Sequence, residues 1–326
     1  MFKPFAFHSE SLLGEIYRKY RTTTIPKHGH KHFEKRLFVC DSNISCAGKV
    51  SFYNCTFNCD ISQNCECITI LPLGEVVFKN CTFKRSLLNS GLFLSGNKGC
   101  LVSFIDCTFV ECNNFVQLDD CTRVAFTRCK FQDCFDAVVK VSVQPEAQFA
   151  FHDNIWYVTA SPVHQKASAF TLLGENRLFV FENCCIQYAG TDSSYSLITA
   201  PQNSLCLLNC SFDGSIFPIH AAAVIGCIFR HCRNALVTNS AVSALYPSLI
   251  ENCRFIQCFE CIQAGADTEI LRSTFTACTG ALIRSASKLG HVHIADCTFF
   301  DCVVSARRSA CIELDRDCSV ITGKIN

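Results

Sequence analysis

The feature that most constrains the fold is a short motif that recurs along most of the chain. It reads aromatic, any residue, Asn or Asp, Cys, any residue, Phe, and it is clearest in VSFYNCTFNC from residue 50 and VSFIDCTFVEC from residue 102. The Cys position, here called the anchor, is filled by Cys55, Cys81, Cys107, Cys129, Asn154, Cys184, Cys210, Cys227, Cys253, Ser273 and Cys297. Anchor spacings of about 24 residues predict a β-solenoid whose coils each contain three short strands.

The motif predicts which side chains face the interior of the solenoid. Residues two apart on a strand share a side, so Cys107 and Phe109 point one way and Thr108 points the other. Coils stacked about 4.8 Å apart would turn the Phe position into an internal column, with Phe109 between Phe83 and Phe131. The aromatic residue three positions before each anchor would form a second column. The Asn or Asp between them tolerates a left-handed backbone and is typical of a bend.

These patterns predict an all-β fold, a right-handed parallel β-helix of about 11 to 13 coils. The repeat resembles those of the pectin-lyase-like superfamily, and it is similar to the Cys- and Phe-rich β-helix repeats of protist proteins. The resemblance covers residues 37 to 325 and implies the fold alone, because such families include polysaccharide lyases, adhesins and passive scaffolds. A left-handed β-helix or a leucine-rich repeat is the alternative architecture, although both need shorter or more regular units.

The first 36 residues lack the motif and are predicted to cap the solenoid. Ser9 or Ser11 can begin a short helix, because apolar side chains follow at three- and four-residue steps. Those apolar side chains are Leu12, Leu13, Ile16, Tyr17 and Tyr20. A helix there would cover the open end of the first coil. The predicted domains are a cap helix with a basic loop over residues 1–36 and a parallel β-helix over residues 37–326.

The basic loop, residues 22–36, is a candidate docking element. Its cations Lys27, Lys31, Lys35 and Arg36 stand against one acid, Glu34. They could bind an acidic partner, or the loop could simply be solvated. These four residues and the five apolar residues of the cap helix are the candidate partner-binding site.

The sequence predicts no catalytic residues, no metal site and no cofactor. Three histidines alternate in the basic loop, but no acidic or Cys ligand stands beside them. Cys258 and Cys261 have the spacing of half a zinc site, yet Cys258 occupies a position that recurs in the repeat and favours core packing. Arg85, Glu111 and Asp133 each follow an anchor by four residues, which predicts a surface charge ladder.

Composition narrows the partners and the compartment. The 29 basic and 28 acidic residues give a net charge of +1, which argues against nucleic-acid binding by the chain as a whole. The first 20 residues lack the apolar run of a secretory signal, and no apolar run is long enough to predict a membrane span. The odd total of 27 Cys favours free thiols that pack as small apolar residues in a reducing cytoplasm.

Two classes of function remain open, with a third behind them. The first is a non-enzymatic structural protein, a rigid rod packed against protein partners in a large intracellular assembly. Because tubulin is an acidic polymer, the specific prediction is a cytoskeletal site in the ciliary doublet microtubule, with tubulin or other axonemal proteins as partners. The second is a surface or secreted β-helix that binds glycans or host proteins, favoured by Asn43, Asn54, Asn80 and Asn209 in N-x-Ser/Thr sequences. A polysaccharide-active enzyme is the third.

Overall fold

The part of the chain that the structure describes is built from β-strands. The computed structural model describes residues 16–17, 23–39, 44–58, 67–84, 92–112, 115–134, 138–159, 169–173, 179–189, 198–200, 205–214, 219–233, 235–238, 248–265, 267–285, 290–303, 312–313 and 318–322. In the N-terminal part the strands are β1 (Ile16–Tyr17), β2 (Thr23–Ile25), β3 (His30–Glu34), β4 (Leu37–Val39), β5 (Ile44–Cys46), β6 (Lys49–Tyr53), β7 (Thr56–Asn58), β8 (Ile68–Ile70), β9 (Glu75–Lys79), β10 (Thr82–Lys84), β11 (Leu94–Gly96), β12 (Leu101–Ile105) and β13 (Thr108–Val110). In the middle they are β14 (Val116–Thr127), β15 (Lys130–Gln132), β16 (Val139–His152), β17 (Ile155–Val158), β18 (Phe170–Leu173), β19 (Phe179–Glu182), β20 (Cys185–Tyr188), β21 (Ile198–Thr199), β22 (Leu205–Leu208), β23 (Ser211–Gly214), β24 (Ile219–Ala221), β25 (Ala223–Ile225) and β26 (Ile228–Arg230). The last are β27 (Leu236–Thr238), β28 (Ser248–Glu251), β29 (Arg254–Ile256), β30 (Ile262–Ala264), β31 (Thr268–Leu271), β32 (Thr274–Thr276), β33 (Ile283–Ser285), β34 (Gly290–Ala295), β35 (Thr298–Phe300), β36 (Ile312–Glu313) and β37 (Cys318–Thr322).

Parallel pairing between successive coils joins these strands into three sheets. Sheet A has 13 strands, in the order β1-β4-β7-β10-β13-β15-β17-β20-β23-β26-β29-β32-β35. Sheet B has 19 strands and sheet C has five, β24-β27-β30-β33-β36. The long strands β14 and β16 each run through two stacks of sheet B, as β14 does in pairing with both β11 and β12. The fold is therefore a parallel β-solenoid, as predicted, and the strand number of sheet A lies within the predicted range of coils. Right-handed winding stays a prediction.

The predicted aromatic column of sheet A is present and buried. Phe109 lies between Phe83 and Phe131, with ring centroids 4.9 Å and 4.6 Å away, and its exposed fraction is 0%. Strand β13 pairs with β10 and with β15, so that Phe109 is in register with Phe83 and with Phe131. The rings of these residues stack because successive coils place an aromatic residue at the same inward position.

A second aromatic column runs along sheet B and meets the first edge to face. Phe78 and Phe104 stack at 4.8 Å with an interplanar angle of 6°, whereas Phe83 and Phe104 meet at 5.8 Å and 76°. A third, short stack joins Phe93 to Phe115 at 4.6 Å. Offset stacking along the axis and edge-to-face contact across it are the arrangements that aromatic rings prefer.

The anchor residues form a hydrogen-bonded ladder inside the solenoid. The Cys81 thiol lies 3.4 Å from its own coil's Lys79 carbonyl and 3.5 Å from the Phe52 carbonyl of the preceding coil. Where Asn replaces Cys, Asn154 Oδ1 accepts the Cys129 N–H at 2.7 Å and its Nδ2 donates to a carbonyl at 3.0 Å. The anchor therefore needs a small side chain with a donor and an acceptor, which Cys, Ser and Asn all supply. The thiols are more than apolar filler.

The residue before each anchor turns the chain from sheet B to sheet A. Its φ is positive, at 54° for Asn54, 53° for Asn80 and 54° for Asp106. The Asn54 N–H donates to the Lys79 carbonyl of the next coil at 3.0 Å, so the bend costs no backbone hydrogen bond. These residues are the bends that the sequence predicted.

The predicted cap helix is wrong where the structure describes it. Ile16–Tyr17 form strand β1, which pairs in register with Leu37 and Phe38 of β4. A β-branched and an aromatic residue suit a strand, and pairing with the first coil outweighs a weak helical periodicity. Leu12, Leu13 and Tyr20 lie outside the described residues.

The predicted basic loop is also wrong, because most of it forms the first coil. Strand β2 pairs with β5, and His30–Glu34 pair residue by residue with Lys49–Tyr53. Lys35 has a φ of 51° and occupies the bend, and Arg36 follows at the anchor. The unusual residues at these two positions hid the repeat, so the predicted boundary after residue 36 falls inside a coil.

Candidate interaction surfaces

The four cations predicted to dock a partner do not share one surface. Lys27 and Lys35 are exposed, Lys27 in a turn and Lys35 at the first bend. Lys31 is in register with the buried Val50, so its side chain starts an internal column and is half-buried, with Nζ 5.1 Å from the centroid of the Phe33 ring. Only part of the predicted cluster therefore faces solvent.

Arg36 also occupies an inward anchor position. Its carbonyl accepts the Thr56 N–H at 2.8 Å, as the Cys55 carbonyl accepts the Thr82 N–H at 2.9 Å one coil later. A charged side chain at an inward position of a terminal coil opposes end-to-end pairing with another sheet. Lys31, on the terminal strand β3, thus suits protection of that end of sheet B, and docking of an acidic partner by the four cations stays a prediction.

The residues weighed as metal ligands are placed in structural roles. His32 faces outward on β3, with Nδ1 3.3 Å from Ser51 Oγ. Cys258 and Cys261 are buried, and the Cys258 thiol donates to the Phe229 carbonyl at 3.4 Å. Among the described residues, no group of three or more His, Cys, Asp and Glu is arranged to hold a metal ion.

The predicted charge ladder near the second bend is partly described. Glu111 and Asp133 have positive φ, at 53° and 51°, and so form bends themselves. Asp133 Oδ1 accepts hydrogen bonds from the backbone N–H and the hydroxyl of Thr159, each at 2.8 Å. Arg85 lies outside the described residues. The carboxylate of Asp133 is therefore used to fix the local backbone.

An apolar surface on the outside of sheet B was missed by sequence analysis. Six half-buried side chains of four successive coils form it, in two outward columns, and we call them the sheet-B patch: Val180, Cys206, Leu208, Ala223, Ile225 and Leu249. The second column ends in Glu182 and Glu251, which pair with His152 and Arg272 respectively. An apolar area rimmed by polar groups is a feature of protein-binding surfaces.

The apolar surface continues around one bend to sheet A. Gly226, with φ of 67°, replaces the usual polar bend residue between Ile225 and Ile228. A Cβ added at Gly226 would lie 2.4 Å from Asn209 Oδ1, so a side chain there would need a shift of Asn209. The sequence signal for this surface was the presence of aliphatic residues at the outward positions of strands β25 and β26, namely Ala223, Ile225 and Ile228.

A second surface missed by sequence analysis combines guanidinium and aliphatic groups on the outside of sheet A. Strand β26 reads Ile-Phe-Arg and β29 reads Arg-Phe-Ile, and the two pair in register through Phe229 and Phe255. The four outward residues, Ile228, Arg230, Arg254 and Ile256, are called the Arg-Ile patch. Its two arginines lie on one diagonal and its two isoleucines on the other.

Comparison with known proteins adds no family. No protein-family model and no curated protein sequence matches the chain. Among solved structures, ORF18 of Geobacillus virus E2 is similar over 85% of this chain and 54% of its own, at 14% identity and a TM-score of 0.28. The catalytic domain of a GH87 alpha-1,3-glucanase is similar over 94% of this chain and 63% of its own, at 7% identity and a TM-score of 0.34. The chain thus spans less than two thirds of either structure.

The described residues contain no helix of the length and apolar character needed to cross a membrane.

Proposed function

We propose that the chain is a non-enzymatic scaffold, a rigid rod that packs against protein partners in a large intracellular assembly. The observation that carries this proposal is the sheet-B patch, because six outward aliphatic or thiol side chains on adjacent coils favour contact with another protein over contact with water. The patch is continuous, since all six side chains come from neighbouring strands in register. A continuous apolar surface suits packing against a neighbouring subunit.

Continuous packing supports the rod as a rigid element. The anchor ladder links successive coils, and aromatic columns link most of them, with Ile186 interrupting the sheet-A column. Bending the axis would therefore break stacked rings and hydrogen bonds together along most of the rod. A solenoid of this kind can hold partners at fixed distances along its length. Our specific proposal is a cytoplasmic, cytoskeletal assembly, with the ciliary doublet microtubule and its tubulin or other axonemal proteins as the first place to look.

Fractionation of cells that carry the tagged native protein tests the location. We expect recovery in detergent-extracted cytoskeletons. Recovery in the medium or on the cell surface would instead favour the glycan-binding or adhesin function, for which the exposed bend residues Asn54, Asn80 and Asn209 offer sites of glycosylation. Release of reducing sugar from a polysaccharide by the purified protein would favour the enzymatic function.

A pair of variants tests whether the sheet-B patch is the contact. Ile225→Glu places a carboxylate at the centre of the patch, and we expect it to release the protein from the assembly. Ile105→Glu is the matched control, because Ile105 is a half-buried outward residue of the same sheet outside the patch. Both variants should melt close to wild type. Retention of Ile225→Glu in the assembly would contradict a role for the patch.

A further inference from the structure

The Arg-Ile patch places two guanidinium groups close together on a rigid surface. Adjacent strands lie about 4.8 Å apart and residues two apart on a strand are about 6.8 Å apart, so Arg230 and Arg254 have Cα atoms roughly 8 Å apart on the diagonal. Ile228 and Ile256 occupy the other diagonal. Arg254 is exposed and the other three residues are half-buried. The patch therefore offers alternating charged and apolar contacts.

The arginines of this surface lack the carboxylate partners that three other described arginines have. Among the described residues, Arg128 pairs with Asp106, Arg272 with Glu251 and Arg284 with Glu260. No ion pair within the described part of the chain involves the arginines of the patch or the nearby exposed arginine at position 233. Three described arginines are therefore neutralised by carboxylates, whereas the three at this surface are not, a condition that they share with Arg123.

The carboxylate that lies nearest in sequence register is already engaged. Asp213 precedes Arg230 in the same outward column, but its Oδ1 lies 2.8 Å from His231 Nδ1. His231 Nε2 lies 2.8 Å from Gln257 Oε1, so both ring nitrogens face oxygen atoms. The Asp213 carboxylate, with Gln257, raises the pKa of His231 above its ordinary value. The His231 side chain, fixed by these two contacts, therefore lies next to Arg230 in sequence at the edge of the patch.

We propose that the Arg-Ile patch binds an acidic segment of a partner protein, one that presents carboxylates together with apolar side chains. This inference rests on the proposed function as a protein-binding scaffold and names the chemistry of one partner. Two guanidinium groups can each hold a carboxylate in bidentate fashion. Ile228 and Ile256 lie between them and would cover aliphatic or aromatic side chains of the same segment. The patch adjoins the sheet-B patch across Gly226, so one partner could contact both.

An acidic protein segment fits the patch better than a nucleic acid does. A phosphate backbone needs a long row of cations, whereas here aliphatic side chains separate the guanidinium groups and Asp213 lies beside them. The net charge of +1 supplies no long-range attraction for a polyanion. The mixture of charge and apolar area on adjacent strands is what distinguishes this surface.

Binding of the purified full chain to a short labelled peptide of alternating Glu and Leu tests the proposal. We expect saturable binding at about 50 mM salt that weakens at about 500 mM, because exposed charges are screened. Arg230→Glu with Arg254→Glu should weaken binding about tenfold or more. Ile228→Thr with Ile256→Thr should weaken it severalfold while preserving the salt dependence.

Lys84→Glu with Lys130→Glu is the matched control. Both lysines are exposed on the outer columns of sheet A, and the double reversal changes the net charge equally. Equal weakening by this control, or equal binding of a Gln-for-Glu peptide, would overturn the proposal. Tighter binding of a single-stranded oligonucleotide than of the peptide would assign the patch to phosphate instead. The scaffold proposal is judged separately by fractionation, so the peptide can fail to bind while the protein still sediments with the cytoskeleton.

Discussion

The interior of the solenoid has long aromatic columns on two sides in its N-terminal half, with the short Phe93–Phe115 stack beside them, and on one side in its C-terminal half. In the N-terminal half the two columns meet edge to face, as Phe78 and Phe83 do at 5.3 Å and 78°. In the C-terminal half the sheet-A column continues through Phe229 and Phe255 at 5.0 Å, but sheet B opposes it with aliphatic residues such as Ile250. The Phe column of sheet A is thus common to both halves, while sheet B accepts either residue class.

The two halves also differ on their outer surfaces. Both halves balance exposed charges between adjacent coils, as Lys49 does with Glu75 at 2.7 Å and Arg272 does with Glu251, but the apolar surfaces are on one half. The Arg128 guanidinium holds the pKa of the Asp106 carboxyl below its ordinary value through a bidentate hydrogen bond. Both the sheet-B patch and the Arg-Ile patch lie in the C-terminal half. The denser aromatic packing and the two candidate contact surfaces therefore lie in different halves of the solenoid.

The largest expected effect comes from removing one ring of the shared column in each half. Phe109→Ala should cost about 3 to 5 kcal/mol of unfolding free energy, as buried Phe-to-Ala changes do. Phe255→Ala should cost less, by about 1 to 2 kcal/mol, because Phe109 also meets Phe104 and Phe115 edge to face at 5.4 Å and 5.3 Å. Chemical denaturation of both variants measures the difference. Equal losses would mean that edge-to-face contacts do not distinguish the halves.

The core could be predicted from the sequence because one residue type recurs in one position. Phe109, the bends at Asn54 and Asn80, and the buried anchors all follow from a two-residue alternation read at a period of about 24. The first coil could not, since Lys35 and Arg36 replace the Asn and Cys that define the motif. A search for the motif therefore misses a coil in which these two positions hold other residues.

The candidate surfaces were harder to predict than the core. The Arg-Ile patch depends on which strands become neighbours, and Arg230 and Arg254 are 24 positions apart in sequence. The sheet-B patch depends on outward residues, whose identity the repeat does not constrain. The cationic cluster at the N-terminus looked continuous in sequence, yet the strand alternation turns Lys31 and Arg36 inward. Charged residues that are close in sequence therefore predict a charged surface only when the strand register is known.

A smaller effect is expected from the anchor ladder, where Asn154 in one half and Ser273 in the other are small polar replacements of Cys. Asn154→Ala should cost about 2 to 4 kcal/mol, because it leaves the Cys129 N–H and the Phe126 carbonyl without their partner. Ser273→Ala should cost about 1 to 3 kcal/mol, since the Cys253 N–H loses a 3.1 Å bond. Thermal or denaturant unfolding measures both.

Cys substitutions at the same two positions are the controls. Asn154→Cys and Ser273→Cys restore the residue that most coils use and keep a donor and an acceptor. Each should recover more than half of the stability that the Ala variant loses. Cys variants no more stable than the Ala variants would show that the ladder contributes through packing volume and not through hydrogen bonds.

The smallest effect near neutral pH concerns the thiols, whose rates of alkylation should differ between the two halves. Every cysteine whose side chain the structure describes is a free thiol, and those of this group between residues 44 and 134 are buried, whereas Cys185, Cys206 and Cys302 are half-buried. Burial raises the pKa of the Cys185 and Cys206 thiols as well, so they should react slowly at pH 8 and faster as pH rises. Alkylation of the native protein followed by peptide mapping should label these outward thiols first. Labelling of the N-terminal ladder at an equal rate would contradict the difference in burial.

The buried thiols should also make the protein less stable at alkaline pH. Burial raises the pKa of Cys46 to about 11 and of Cys100 to about 12 in the folded chain, whereas an unfolded thiol ionises near 8.5. Above that ordinary value the unfolded state loses protons first, so stability is complete at neutral pH and falls as pH rises towards about 11 and 12. Denaturant unfolding at stepped pH should show this fall, and hydrogen exchange should place the earliest opening in the coils that contain Cys46 and Cys100. Because both thiols lie in the half with two aromatic columns, early opening there would show that dense packing does not protect a coil from ionisation of its own buried groups.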